Sequence, residues 1–296
     1  MSTSDTDLDL SHDPSAPASA HANVSANMLA GRYDDLTAVD YHARDALSAS
    51  GISKLLRSPA HYHVWRKAPH TQTAAMAFGT VVHALVLEPH REPPVSIAPA
   101  CDRRSSADKA IWADFEANLK GRVPLKQEEF NRAQRVRDAV WANAGARLLL
   151  DDIASEVSLF WTDDQFDIPC KARVDAVRAD HGVVDLKTTS DAAPTAFARS
   201  VAHLNYHAQA AHYWRAVEHT LHASPPFFAW IAIETDPPFG LRCYVIDSQV
   251  LRLGGDLADR AASIYAAALR TGRWQGYIET IEPLRLPKWA LQFDAV

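Results

Sequence analysis

The chain has 296 residues, 47% of them apolar and 22% charged, an ordinary globular composition with apolar mass for one large domain or two modest ones. Its formal net charge of -6 resides wholly in residues 1–40, where Asp5, Asp7, Asp9, Asp13, Asp34, Asp35 and Asp40 face Arg32 alone, so the neutral remainder neither marks nor excludes a nucleic-acid partner. Cys101, Cys170 and Cys243 are odd in number and widely spaced, which argues against a disulfide framework or a zinc knuckle; with no signal-like N-terminus and no apolar run of spanning length, the expectation is a cytoplasmic protein with no membrane association.

The opening segment is rich in Ser, Ala and Asp and poor in large apolar residues, so it cannot offset its ordering entropy; an acidic, disordered tail is expected over residues 1–40, with its first 30 the clearest part. A helix is predicted from Ala49 to Arg57, capped by Ser50 or Ser53, then one over 58–66 with Pro59 in its first turn, and a third over 74–87 stopped by Pro89. Residues 91–105 are Pro-rich and read as irregular, and helical spacing returns over 106–119 and 127–141. The period then changes to two. Strands are predicted at 156–161, 171–177 and 183–187, a helix at about 205–222, strands at 227–234 and 241–246 around a Pro-Pro-Phe-Gly turn, and a helix over 248–270. No internal repeat is visible, and the expected class is a single α/β domain with a helical part at 41–150 and a core at 151–296.

The segment RVDAVRADHGVVDLKTT, residues 173–189, carries acids at Asp175 and Asp185 and a base at Lys187. In a strand Asp185 and Lys187 share one face, while Val184 and Leu186 share the other. Asp175 and Asp185 lie on one face if they are directly opposed in an antiparallel pair, which pairs Arg178 with Gly182 and leaves a three-residue loop, Ala179 to His181, with Gly182 free to turn left-handed. Opposed carboxylates have Cβ atoms about 4.5–5.5 Å apart, close enough for one cation and repulsive without it. The same residues also permit an ordinary exposed hairpin in which Lys187 pairs with one acid.

The order acid, about ten residues, acid, apolar residue, Lys resembles the PD-(D/E)xK nucleases. Four further stretches, ISKLLRSPAHY from Ile52, AFGTVVHALVLEP from Ala77, EVSLFW from Glu156 and YHAQAAHY from Tyr206, are similar to the RecE-type branch, exodeoxyribonuclease VIII, with the RecB nuclease domain and lambda-type exonuclease as relatives. The resemblance runs over roughly residues 40 to 290. It implies a mixed central sheet flanked by helices, with Asp175, Asp185 and Lys187 at the motif positions. It also implies His83 as a metal ligand or a near neighbour of one, Glu156 as an acid for a second metal or for water, Gln209 and Tyr213 as contacts to DNA or water, and the Leu186 carbonyl as a further metal ligand. The implied cofactor is Mg2+, with Mn2+ able to substitute, and the implied activity is metal-assisted hydrolysis of linear duplex DNA, 5′ to 3′, in phage or prophage recombination. A homo-oligomer and a single-strand annealing protein are the implied partners.

Arg57, Arg66, Lys67, Arg103, Arg104 and Lys109 are candidates for backbone contacts to DNA, or simply solvated charges. His203 and His207 have helical i, i+4 spacing, but the residues between them lack the glutamate of a zinc protease motif. Two rival readings remain: a nuclease of the same fold acting on single strands, flaps or RNA, and a non-catalytic DNA-binding module.

Overall fold

The computed structural model describes residues 30–68 and 72–285; the first 29 residues of the expected tail lie outside them. In chain order the elements are β1 (Gly31–Tyr33), α1 (Ala38–Ala43), α2 (Ala49–Arg57), α3 (Pro59–Lys67), α4 (Ala74–Leu87), β2 (Val95–Ile97), α5 (Ser106–Ala117) and β3 (Val123–Leu125). They continue with α6 (Gln127–Ala142), α7 (Ala144–Leu149), β4 (Ile153–Asp163), β5 (Ile168–Arg178), β6 (Val183–Thr189), α8 (Pro194–His203), α9 (Tyr206–Leu221), β7 (Phe228–Glu234), β8 (Leu241–Val245) and α10 (Ser248–Thr271).

Six strands form one mixed sheet in the order β1-β4-β5-β6-β7-β8. The β4–β5 hairpin is its longest ladder, from Ile153 opposite Arg178 to Asp163 opposite Ile168. Strands β6 and β7 are parallel, which requires a crossover, and α8 with α9 supplies it. One face of the sheet buries Leu159, Trp161, Val174 and Trp230 with Ala216 and Tyr265 of α9 and α10. The other buries Ala176, Leu186 and Ile231 with Val82 and Val86 of α4 and Val136 of α6. This is the mixed sheet flanked by helices that the resemblance to the PD-(D/E)xK nucleases implied.

Several local expectations are corrected. Residues 31–33, assigned to the tail, form edge strand β1 against β4, with Tyr33 packing edge-on to Phe160 at 5.8 Å. The cap of α2 is Ser48, which accepts from Gly51 N–H, and Ser50 lies inside the helix. Within the segment read as irregular, β2 pairs in parallel with β3. Helix α8 was not anticipated, although Pro194 stands in its first turn, where a missing N–H costs nothing.

Helices α9 and α10 cross nearly backbone to backbone. A Cβ added at Gly254 would lie 2.0 Å from the His207 carbonyl oxygen, whereas one at Gly255 would meet only the flexible end of Arg215 at 3.4 Å. Gly254→Ala is therefore expected to cost about 3 kcal/mol by overpacking, and Gly255→Ala to be neutral or slightly stabilising through helix propensity. Urea unfolding of both variants checks this, and equal effects would show that the crossing is not backbone-limited.

Candidate active site

The site is built where the sheet forks. Strands β5 and β6 pair at Ala176 with Val184 and at Val177 with Val183, and Arg178 N–H donates to the Gly182 carbonyl at 2.9 Å. Continuing that register by one step sets Asp175 opposite Asp185, as the sequence spacing required. The loop is Ala179 to His181, but its left-handed residue is His181, with φ of 68°, and not Gly182. Gly182 is demanded by space: a Cβ there would sit 2.6 Å from the Phe227 ring. Beyond Ala176 the ladder ends, and Leu186 N–H donates to Asp175 Oδ2 at 2.9 Å in place of a backbone carbonyl. Strand β6 meanwhile stays paired with β7 to Thr189.

A matching irregularity lies on the other side of β5. Glu156 has φ of 54° in the middle of β4, a left-handed conformation that costs a non-glycine residue about 1–3 kcal/mol. The register is the same on both sides of it, Ser155 opposite Ala176 and Val157 opposite Val174, so no residue is inserted. What changes is the face. Ala172 and Val174 pack toward α9 and α10, but two residues later Ala176 packs toward α4 and α6 while Val177 returns to the first face. The pleat is interrupted at the step shared by Glu156 and Asp175, and strict alternation along β5 fails there.

Helix α4 brings His83 to this break. His83 Nδ1 lies 3.4 Å from Asp175 Oδ2, and one ligand atom each from His83, Glu156 and Asp175 lie within 4.8 Å of one another. Asp185, with a fully buried side chain, is held at 2.6 Å by Lys187 Nζ, and its Oδ1 has no hydrogen-bond partner. The pair is buried, which removes the exposed-hairpin reading. The three side chains close enough to share one ion are His83, Glu156 and Asp175, while Lys187, on the same strand face as Asp185, takes one Asp185 oxygen. Gln209 Nε2 donates to Tyr213 Oη at 3.0 Å on one face of α9, and the field of Asp175 and Asp185 reaches the buried Tyr213 phenol. Two residues not anticipated also take part. Arg173 Nε holds Glu156 Oε2 at 2.7 Å while its Nη1 reaches the Leu36 carbonyl at 2.8 Å, and the Tyr206 ring lies 4.6 Å from Lys187 Nζ. Arg173 stands two residues before Asp175 on an alternating strand, a position that could have flagged it.

A family model for the PDDEXK-like domain of unknown function (DUF3799) matches residues 48–287. The chain belongs to that family. No curated protein matches it in sequence. Among solved structures, a "Putative exonuclease" from Eubacterium rectale superposes with a TM-score of 0.57 at 13% identity, covering 88% of this chain and 99% of its own, which establishes a common fold. A second structure, of SSO0001, covers 60% of this chain and 84% of its own at 14% identity, but its TM-score of 0.26 carries no argument.

The electrostatics of this PDDEXK-like site are those of a centre short of positive charge. Burial raises the Asp185 pKa to about 6 against the pull of Lys187, with Asp175 adding to the rise. Burial likewise raises Asp175 against Lys187, and raises Glu156 with help from Asp175 and against Arg173. Burial and then Lys187 lower the His83 pKa, leaving a neutral imidazole able to donate a lone pair. Burial works against the Lys187 ammonium, but the fields of Asp185, Asp175 and Tyr206 outweigh it and keep the amine charged. A nitrogen, two carboxylates and a partnerless buried oxygen nearby fit a divalent cation.

These shifts fix a sign. Carboxyls whose folded pKa exceeds the unfolded value bind protons in the native state between about pH 4 and 6, so the metal-free fold loses stability as pH rises through that window. A cation that binds the ionised forms reverses the loss, and the rise in melting temperature on adding Mg2+ or Mn2+ is expected to grow from pH 5 to about 7.5. Glu156→Gln and Asp175→Asn should abolish that rise while melting no lower than wild type in EDTA. Variants that lose stability without metal and keep the metal-induced rise would contradict a cation site.

Proposed function

We propose that the chain is a metal-dependent exodeoxyribonuclease of the RecE-type branch, digesting linear duplex DNA from its ends. The observation that carries this reading is the convergence of His83, Glu156 and Asp175 beside a buried Asp185–Lys187 pair. The family description and the relative described as an exonuclease support it.

Each residue has a role that follows from its surroundings. His83, Glu156, Asp175 and the Leu186 carbonyl would hold Mg2+, with Mn2+ acceptable because an imidazole is softer than Mg2+ prefers. The ion, when bound, supplies a Lewis acid for the phosphoryl oxygen and lowers the pKa of water. Asp185 fixes Lys187 and orients its ammonium beside the centre, where it orients the attacking water and offsets charge growing on the scissile phosphate. Tyr206 flanks the same ammonium. Arg173 holds Glu156 in its left-handed position and partly neutralises it. Tyr213 and Gln209 present a hydrogen-bonded pair beside the acids for the DNA strand or a water. The helical part at 41–150 and the core at 151–296 act as one domain, since α4 delivers a ligand to acids on the sheet. A ring-shaped homo-oligomer, a strand-annealing partner and a cytoplasmic role in phage recombination complete the proposal.

Linear, nicked and closed circular duplexes and single strands, each incubated with Mg2+ or EDTA, test it. Metal-dependent digestion is expected only where an end is present. Asp185→Ala should abolish it, and Lys187→Ala should lower kcat by about 10²- to 10³-fold. Equal attack on closed circles would reject end dependence, and preference for single strands would select another nuclease of the same fold.

A further inference from the structure

Outside the catalytic fork, a cavity of about 370 Å³ opens against α6, lined by Lys126, Glu128, Glu129, Arg132 and Arg135. Two structural ties join it to the site. Arg132 lies over the Phe78 ring at 4.8 Å, and Phe78 is five residues before His83 on α4, about 7.5 Å along the helix axis. Arg132 Nη1 also donates to Asp236 Oδ1 at 2.9 Å, and the neighbouring Thr235 N–H donates to the carbonyl of Thr189, the last residue of the catalytic strand β6. Arg132 is thus tied to α4, which carries His83, and to the segment hydrogen-bonded to the end of β6.

Its lining holds three cations, Lys126, Arg132 and Arg135, against two carboxylates, Glu128 and Glu129. Glu129 is committed to the helix start, where Oε2 accepts from Lys126 N–H at 2.9 Å. Arg135 lies over Phe239 at 5.7 Å and has no ion pair among the described residues. The Asp236 partner of Arg132 is 68% exposed, so that pair is worth little, and Arg132 Nε is buried with no hydrogen-bond partner. Guanidinium groups resting against aromatic rings, with donors to spare, can make a bidentate phosphate contact.

We propose that Arg132 and Arg135 form a phosphodiester-binding site that grips the DNA backbone on the α6 side of the fold, next to the helix that carries His83. The proposal deepens the nuclease reading and rests on it for the identity of the strand. The contact is to backbone, so it positions the substrate without reading sequence.

Equilibrium binding of a duplex with a single-stranded 5′ tail, measured by fluorescence anisotropy in EDTA over a range of salt, tests the site without requiring turnover. Arg132→Ala with Arg135→Ala should weaken binding about 10- to 100-fold and flatten the salt dependence by about one unit of slope per arginine. The double lysine variant should restore the salt slope but only part of the affinity, a split that a folding defect would not give, and in turnover the alanine loss should fall on KM more than on kcat. Affinity and salt slope unchanged by the double alanine change, or no DNA binding by the wild type, would overturn the site. If the wild type binds with the predicted arginine dependence but cleaves nothing under any metal, the site stands and the nuclease reading fails. If it cleaves and the variant matches it, the reverse holds.

Discussion

The constraint on which the rest depends is the crowding of like charge. Glu156, Asp175 and Asp185 are brought to one largely buried place, and the cations beside them, Arg173 and Lys187, leave one negative charge over because His83 is neutral. A fold has no structural use for such an arrangement. Hydrophobic residues of similar volume would be neutral or better, and each buried carboxylate left incompletely paired costs free energy. The chain carries this cost together with a left-handed glutamate in mid-strand. Both expenses fall at one register step, and both are offset if a divalent cation completes the charge.

The break in the pleat is the means by which side chains from different layers meet. In an uninterrupted sheet, ligands on α4 and a base facing α9 would be separated by the thickness of the backbone. At the fork the ladder between β5 and β6 opens after Ala176, and Asp175 uses a side-chain oxygen to satisfy the Leu186 N–H that would otherwise be orphaned. His83 then approaches from one face, while Lys187 lies against Tyr206, at the start of α9. The opening of the sheet and the satisfaction of its backbone are one device.

The sequence made some of this legible and hid the rest for physical reasons. The hairpin register followed from counting residues, because period-two alternation and a three-residue loop leave only one pairing that opposes Asp175 to Asp185. The role of Gly182 did not follow, since its need for space depends on Phe227, forty-five residues away in the chain. The face reversal at Glu156 was invisible for a similar reason: nothing in residue type announces a left-handed glutamate, and only tertiary contacts such as the Arg173 clamp hold it there. Edge strand β1 and the β2–β3 pair were missed because three residues are too few to show a period. His83 was found through its Phe-Gly-Thr context, whereas Arg173 was passed over although it shares alternation with Asp175.

Asp185 and Lys187 form an ion pair in place of a carboxylate bridge between Asp185 and Asp175. One Asp185 oxygen is occupied by the ammonium and the other is left without a partner in a fully buried position. A purely structural ion pair would be expected to satisfy both oxygens, since the second lone-pair set is otherwise desolvated for nothing. This oxygen lies on β6 opposite Asp175, one of the three side chains close enough to share an ion. An ion seated among His83, Glu156 and Asp175 would therefore give this oxygen a positive neighbour without releasing Lys187. That is the arrangement in which the lysine keeps both its charge and its aim.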